Sequence, residues 1–227
     1  DYTGRVIGFT GRYLGEVDEK SGPKYLNSPE TAIYHKSDQL YGLHLAKSAI
    51  RLQGSVIIME GNLDVVASHK AGVKNVIASS GTALTESQLR QLKKLTSKLV
   101  FCFDGDNAGF IAAKRGIHLA QTMDFEVSVI AIPKELGKDP DDVVRQSPEK
   151  WVELANAPIH IVDYYFRQAL TQYNPQQVDG KREMAKSLIE EIARIKSPVE
   201  REHWLQALAD VIHVGLEIIK PMADSMI

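Results

Sequence analysis

The chain has 227 residues, 44% of them hydrophobic and 25% charged, which is enough apolar material for a soluble core organised as one to two compact units. A net charge of −2 excludes a surface that is basic all over, while leaving room for a local basic groove. The lone cysteine, Cys102, excludes an internal disulfide framework and a cysteine-based zinc site, and its place in an apolar run points to core packing. No apolar run reaches the roughly 18 residues of a spanning helix and the start of the chain lacks the order of a secretory signal, so no membrane association and a cytoplasmic location are expected. The absence of an initiator methionine before Asp1 suggests a fragment or an excised domain.

Residues 1–52 are rich in glycine and turn formers and carry short β-like runs such as "GRVIGFTGRYLG", which predicts a mixed α+β segment. From residue 53 to 147 apolar runs alternate with amphipathic stretches. "SVIIM", "VKNVIASS", "KLVFCF" and "FEVSVIAIP" read as strands, and "LDVVASHKAG", "TESQLRQLKKL" and "NAGFIAAKRGIHLAQ" as helices between them. That is the pattern of βαβ units around a parallel sheet buried on both faces. From 148 to 227 the β runs stop and apolar residues recur every three or four positions, which predicts a helical bundle punctuated by Pro148, Pro158, Pro175 and Pro198.

The carboxylates collect at one edge of this scheme. Glu60 follows the first β run, Asp104 and Asp106 follow "KLVFCF", and Asp139, Asp141 and Asp142 lie in the loop after "FEVSVIAIP". Asp64, one helical turn beyond Glu60, faces the same way. Ligands bind at the carboxyl ends of the strands in open parallel sheets. Taken singly, each acid reads as a helix cap or a solvated loop residue; Asp106 can cap the helix after it, and Asp139 before a proline can start a turn. Caps have no reason to choose the same end of three strands, whereas a hard divalent cation demands several oxygens at one point, and magnesium is the natural candidate. Residues 1–51 supply Arg5, Arg12, Lys24, Lys36, Lys47 and Arg51, interleaved with Tyr13, Tyr25, Tyr34 and Tyr41. Basic side chains interleaved with aromatic ones suit single-stranded nucleic acid or nucleotide, although Glu16, Asp18 and Glu19 dilute the pattern.

"EGNLD" at 60–64, "FDGDNAG" at 103–109 and "DPDD" at 139–142 resemble, in that order, the three acidic motifs of the toprim fold, which primases, topoisomerases and some nucleases share. "GRVIGFTGR" at 4–12 and "PKYLNSPET" at 23–31 are similar to the bacterial-type DNA primases in particular, and the resemblance runs from residue 3 to about 214. It implies an α/β fold in which a toprim-type parallel sheet flanked by helices is preceded by a mixed α+β segment and followed by a helical bundle. It further implies RNA primer synthesis on single-stranded DNA during replication, by nucleotidyl transfer with release of pyrophosphate. Glu60, Asp104 and Asp106 are then catalytic and hold Mg2+, with Mn2+ as a possible substitute, and Asp64, Asp139 and Asp141 complete the cluster. Glu60 can alternatively act as a proton acceptor. Arg5, Arg12, Lys24, Asn27 and Lys36 meet template, primer or ribonucleoside triphosphate. The family implies a zinc-binding module upstream and a helical domain downstream that contacts the replicative helicase, both expected outside this chain, and a monomer at the replication fork in the nucleoid. Asn62 stands where the family more often has an aromatic residue and Thr10 where it has a second glycine, while 215–227 match no recognised part of it.

Two other readings compete. Another toprim enzyme, a nuclease or topoisomerase, would use the same acids to cut DNA. A non-catalytic scaffold would keep the fold, but the intact acid set argues against one. Helical periodicity alone leaves open whether the bundle touches template or braces the sheet.

Overall fold

Four of the apolar runs become parallel strands of one sheet in the structure, a computed structural model that describes residues 1–13, 25–80, 83–102 and 107–226. They are β3 (Val56–Met59), β4 (Val76–Ala78), β5 (Lys98–Cys102) and β6 (Glu126–Ile130), after a small antiparallel hairpin of β1 (Thr10–Arg12) and β2 (Tyr25–Asn27). A further strand, β7 (Ile159–His160), pairs antiparallel with β6, and the sheet order is β4-β3-β5-β6-β7. The expectation that β structure ends by residue 148 is therefore corrected: two residues are too short to leave a periodic signal, and their pairing with Ser128 and Val129 is set by the tertiary fold.

Alternate residues along the strands point to opposite faces. Val56, Ile58, Leu99, Phe101, Val127 and Val129 join one core; Ile57, Met59, Val100, Cys102 and Ile130 join the other. The connection from β3 to β4 runs one way across the sheet, and those from β4 to β5 and β5 to β6 run the other. Right-handed crossovers then require α2 (Asn62–Lys70) on one face and α3 (Glu86–Lys93) and α4 (Asn107–Thr122) on the other. Burial agrees: Val65 of α2 packs with Ile57 and Met59, whereas Leu89 and Leu92 of α3 and Ile117 and Ala120 of α4 pack with Ile58 and Phe101. Helix α1 (Leu43–Gln53) joins the α3/α4 face, and just before it Tyr41 exchanges backbone hydrogen bonds of 2.8 and 3.1 Å with Ala78, covering the edge of β4.

After β6 come a short 3-10 turn at Lys134–Leu136, α5 (Pro140–Gln146) and α6 (Pro148–Asn156), whose Val143 and fully buried Trp151 belong to the α2 face. Helices α7 (Ile161–Gln172), α8 (Val178–Ala193), α9 (Pro198–Ile212) and α10 (Leu216–Asp224) instead extend the α1/α3/α4 core. The prolines behave as expected, with Pro148 and Pro198 in the first turns of α6 and α9 behind capping Ser147 and Ser197. The tail that the sequence reading leaves outside the resemblance holds α10, anchored by buried Ile219 and Ala223. Among the described residues no helix is long and apolar enough to cross a membrane.

Candidate functional site

The reversal of strand order falls between β3 and β5, which are neighbours, with α2 and α4 on opposite faces; in open parallel sheets ligands bind outside the carboxyl ends of the strands at such a point. Glu60 is the first residue beyond β3 and is exposed. Gly61 follows as the N-cap of α2, and a Cβ at this position would collide with Oδ2 of Asp64. The Asp64 carboxylate thus folds back over the glycine, and its Oδ1 accepts the backbone N–H of Asp141 at 3.3 Å across 77 residues of sequence. That bond joins the first and third acidic motifs.

The third motif is also built to start a helix. Asp139 is the N-cap of α5: its backbone is extended, Pro140 follows in the first turn, and Oδ1 accepts the N–H of Asp142 at 2.8 Å. Oδ2 of Asp142 accepts the N–H of Lys138 at 3.1 Å, and Asp141 forms an ion pair with Arg145 one turn on. Asp104 and Asp106 lie outside the described residues. Glu60 and Asp64 offer hard oxygens, the chemistry a divalent cation selects. Among the described residues, however, no group of three or more His, Cys, Asp or Glu is arranged to hold a metal ion.

The basic residues fall at three places. Arg5 and Asn27 line a cavity of about 500 Å³ between the amino-terminal segment and α2, together with Tyr34, Asn62, His69 and Ser80. Burial pushes the Tyr34 phenol up and the His69 imidazole down; His69 Nε2 lies 3.1 Å from the Val76 carbonyl oxygen. Arg12 stands apart on the exposed hairpin, its guanidinium 5.8 Å from the centre of the Tyr25 ring that pairs with it across the strands. Lys36 is held by its backbone: its N–H donates to Glu30 Oε1 at 2.9 Å and its carbonyl accepts Gln88 Nε2 at 3.2 Å. The Lys36 N–H, with His35 beside it, keeps the exposed Glu30 carboxyl below its ordinary range. Lys24 lies outside the described residues.

Sequence reading misses the residues that hold these groups in place. Asn62 accepts a 2.9 Å hydrogen bond from the hydroxyl of Ser80, a residue with φ of 59°, so the departure at position 62 is absorbed by a polar pair. Gln88 and Gln91 clamp the 36–39 turn through the carbonyls of Lys36, Gln39 and Asp38. Only the Thr85-to-Gln88 capping box has a local signal in the sequence.

Three family models match successive parts of the chain: the DNA primase catalytic core, N-terminal domain, at residues 1–47; Toprim-like at 57–144; and the DnaB-helicase binding domain of primase at 162–217. The last corrects the expectation that the helicase-binding part lies downstream of this chain, since the match begins inside α7 and ends in α10. The DNA primase of Clostridium acetobutylicum is 38% identical over 211 residues, covering 92% of this chain and 34% of that protein. Thus the chain spans about a third of the length of the curated relatives it matches. A DNA primase domain from Pseudomonas aeruginosa superposes with a TM-score of 0.78 at 32% identity, over 99% of this chain and 70% of that one. A DnaG primase catalytic domain bound to ssDNA superposes with a TM-score of 0.76 at 31% identity, over 94% and 67% respectively. With three successive family models matched and a solved primase domain 32% identical over most of its length, the chain belongs to the bacterial-type DNA primases, as part of their toprim-containing catalytic core.

Proposed function

We propose that this chain carries out the nucleotidyl transfer that builds RNA primers on single-stranded DNA, the 3′-hydroxyl of the growing RNA attacking the α-phosphorus of a ribonucleoside triphosphate and pyrophosphate leaving. The observation that carries the reading is the juncture of the acidic motifs at the β3/β5 reversal, where the Asp64 carboxylate meets the Asp141 backbone. Glu60, Asp104 and Asp106, with Asp64, Asp139 and Asp141, would hold Mg2+, or Mn2+ in its place. Such a cation lowers the pKa of an attacking hydroxyl and neutralises charge on departing phosphates. Arg5, Arg12, Lys24, Asn27 and Lys36 orient template, primer and nucleotide phosphates, Arg12 by a bidentate grip and the lysines as point charges. Residues 1–52 form the nucleic-acid-facing segment and 53–147 the catalytic unit; 148–227, which include the helicase-domain match, contact the replicative helicase. The protein works as a monomer at the replication fork, in the cytoplasm.

The test is RNA synthesis by the complete protein on single-stranded DNA with labelled ribonucleotides, with and without magnesium, beside Asp104→Ala and Asp106→Ala. Short RNA products that disappear with the metal or with either substitution are expected. Metal-dependent DNA cleavage without RNA would move the chain to the nuclease branch, and full synthesis by Asp104→Ala would remove that residue from the reaction.

A further inference from the structure

Glu191 lies on the face of α8 that buries Met184, Leu188 and Ile192, and its side chain is only 3% exposed. A carboxylate there is strongly disfavoured by desolvation unless it is well paired. Its partners stand on α4: Lys114 Nζ is 2.6 Å from Oε1 and His118 Nε2 is 2.8 Å from Oε2. The two are one turn apart, so each carboxylate oxygen engages a different turn of α4. Arg194 of α8 approaches Oε2 at 3.9 Å, and the phenol of Tyr165 on α7 is pushed up by burial and by the carboxylate. Lys114 Nζ also lies 5.8 Å from the centre of the Tyr165 ring. Burial raises the Glu191 carboxyl, yet the bonds from His118 and Lys114 outweigh it and leave the group below its ordinary range.

Stability is a poor reason for this cluster, because apolar side chains of similar volume hold two helices together as well or better. What a carboxylate with one oxygen hydrogen-bonded to His118 and the other ion-paired with Lys114 adds is register. An apolar contact tolerates a slide or rotation, whereas Glu191 meets Lys114 and His118 in one arrangement. Helix α4 begins at Asn107, directly after the "FDGD" motif, and Lys114 lies about 10 Å along it from that start. We infer that Glu191 is a positioning residue which, through Lys114 and His118, fixes the register of α4 and hence the start of the helix that follows Asp104 and Asp106. The inference rests on the catalytic role proposed for those two acids.

The decisive variant, in the complete protein, is the triple substitution Lys114→Met, His118→Leu, Glu191→Met, which keeps the volume and removes the register. Melting temperature, hydrogen exchange of α4 amides and magnesium-dependent primer synthesis are read together. The triple variant is expected to melt at or above the parent temperature, while amides in the first two turns of α4 exchange about fivefold faster. Its kcat falls about tenfold with KM for ribonucleotide nearly unchanged, the mark of misplaced catalytic groups. Parental exchange in α4 together with parental kcat would overturn the inference. Should the triple variant not fold, Glu191→Gln is read in the same way, and parental values there would also overturn it. Failure of the catalytic reading shows separately, as absence of RNA from the unsubstituted protein, and leaves the exchange measurement interpretable.

Discussion

Asp139 tests whether one carboxylate serves both helix and cation. Its Oδ1 accepts the Asp142 N–H at 2.8 Å and so caps α5, a seven-residue helix whose buried anchors are Pro140 and Val143. Removing an N-cap carboxylate costs about 1 kcal/mol, within a range of roughly 0.5 to 2. For a chain of this size that is a fall of about 2–4 °C in melting temperature, the change expected for Asp139→Ala. Asparagine caps about as well as aspartate, so Asp139→Asn keeps the bond and should melt within about 1 °C of the parent. What the asparagine removes is charge. If Asp139 contributes to the proposed cation cluster, the magnesium concentration for half-maximal primer synthesis rises severalfold in Asp139→Asn, although the fold is untouched. Thermal denaturation followed by circular dichroism and a magnesium titration of synthesis separate the two effects. An unshifted melting temperature in Asp139→Ala would refute the capping argument, and parental magnesium dependence in Asp139→Asn would leave the residue as a cap alone.

Gly61→Ala places a methyl where Oδ2 of Asp64 sits, but that atom ends a flexible side chain, so the fold should survive with a loss of about 1 kcal/mol. The displaced carboxylate leaves the Asp141 N–H, and synthesis should fall at least about tenfold; parental activity would show that the position of Asp64 is immaterial. His69 predicts a pH effect. Burial holds its imidazole below the ordinary 6.5, so on acidification the unfolded chain takes up the proton first. The stability from the neutral ring is whole above 6.5 and is lost as pH falls through the folded-state value, so the melting temperature should drop more between about pH 7.5 and 5.5 in the parent than in His69→Gln. Equal drops would contradict this. His213 ends α9 in the left-handed region with φ of 52°, and His213→Gly should raise the melting temperature by up to about 3 °C; a decrease would mean that its side chain contributes more than the backbone strain costs.

The parts of this molecule legible in the sequence are those governed by neighbours along the chain. Val56–Met59 and Lys98–Cys102 announce buried strands because both faces of each must be apolar, and the alternation with helical stretches dictates parallel pairing. The turn-forming reading of Asp139 before proline was equally local, and it describes the cap. Illegible parts depend on contacts between distant segments. Nothing near Lys36 reveals that Gln88, 52 residues on, holds its carbonyl, and nothing near Asp64 reveals that Asp141 supplies an N–H. The divided loyalty of the later helices was hidden for the same reason: α6 and α7 are separated by only Ala157–His160, yet Trp151 packs against the α2 face and Tyr165 against the α4 face. Amphipathic periodicity says that a helix buries a stripe and is silent on which stripe it meets.

That division explains how the site is supported. The reversal of strand order puts α2, which follows the first acidic motif, on one face of the sheet and α4, which follows the second, on the other, so the two motifs are followed by helices of different layers. Asp64 belongs to the layer of α2, α5 and α6, where Asp141 at the capped start of α5 braces it. The helix that follows Asp104 and Asp106 belongs to the opposite layer, which continues into α7–α10, and it is tied to α8 through Glu191. A cation shared by the two motifs would therefore bridge two separately packed layers, and binding it would resist their movement relative to each other. On the proposed catalytic reading, the carboxy-terminal helices would bear on catalysis through α4, whose register is set in the core they complete.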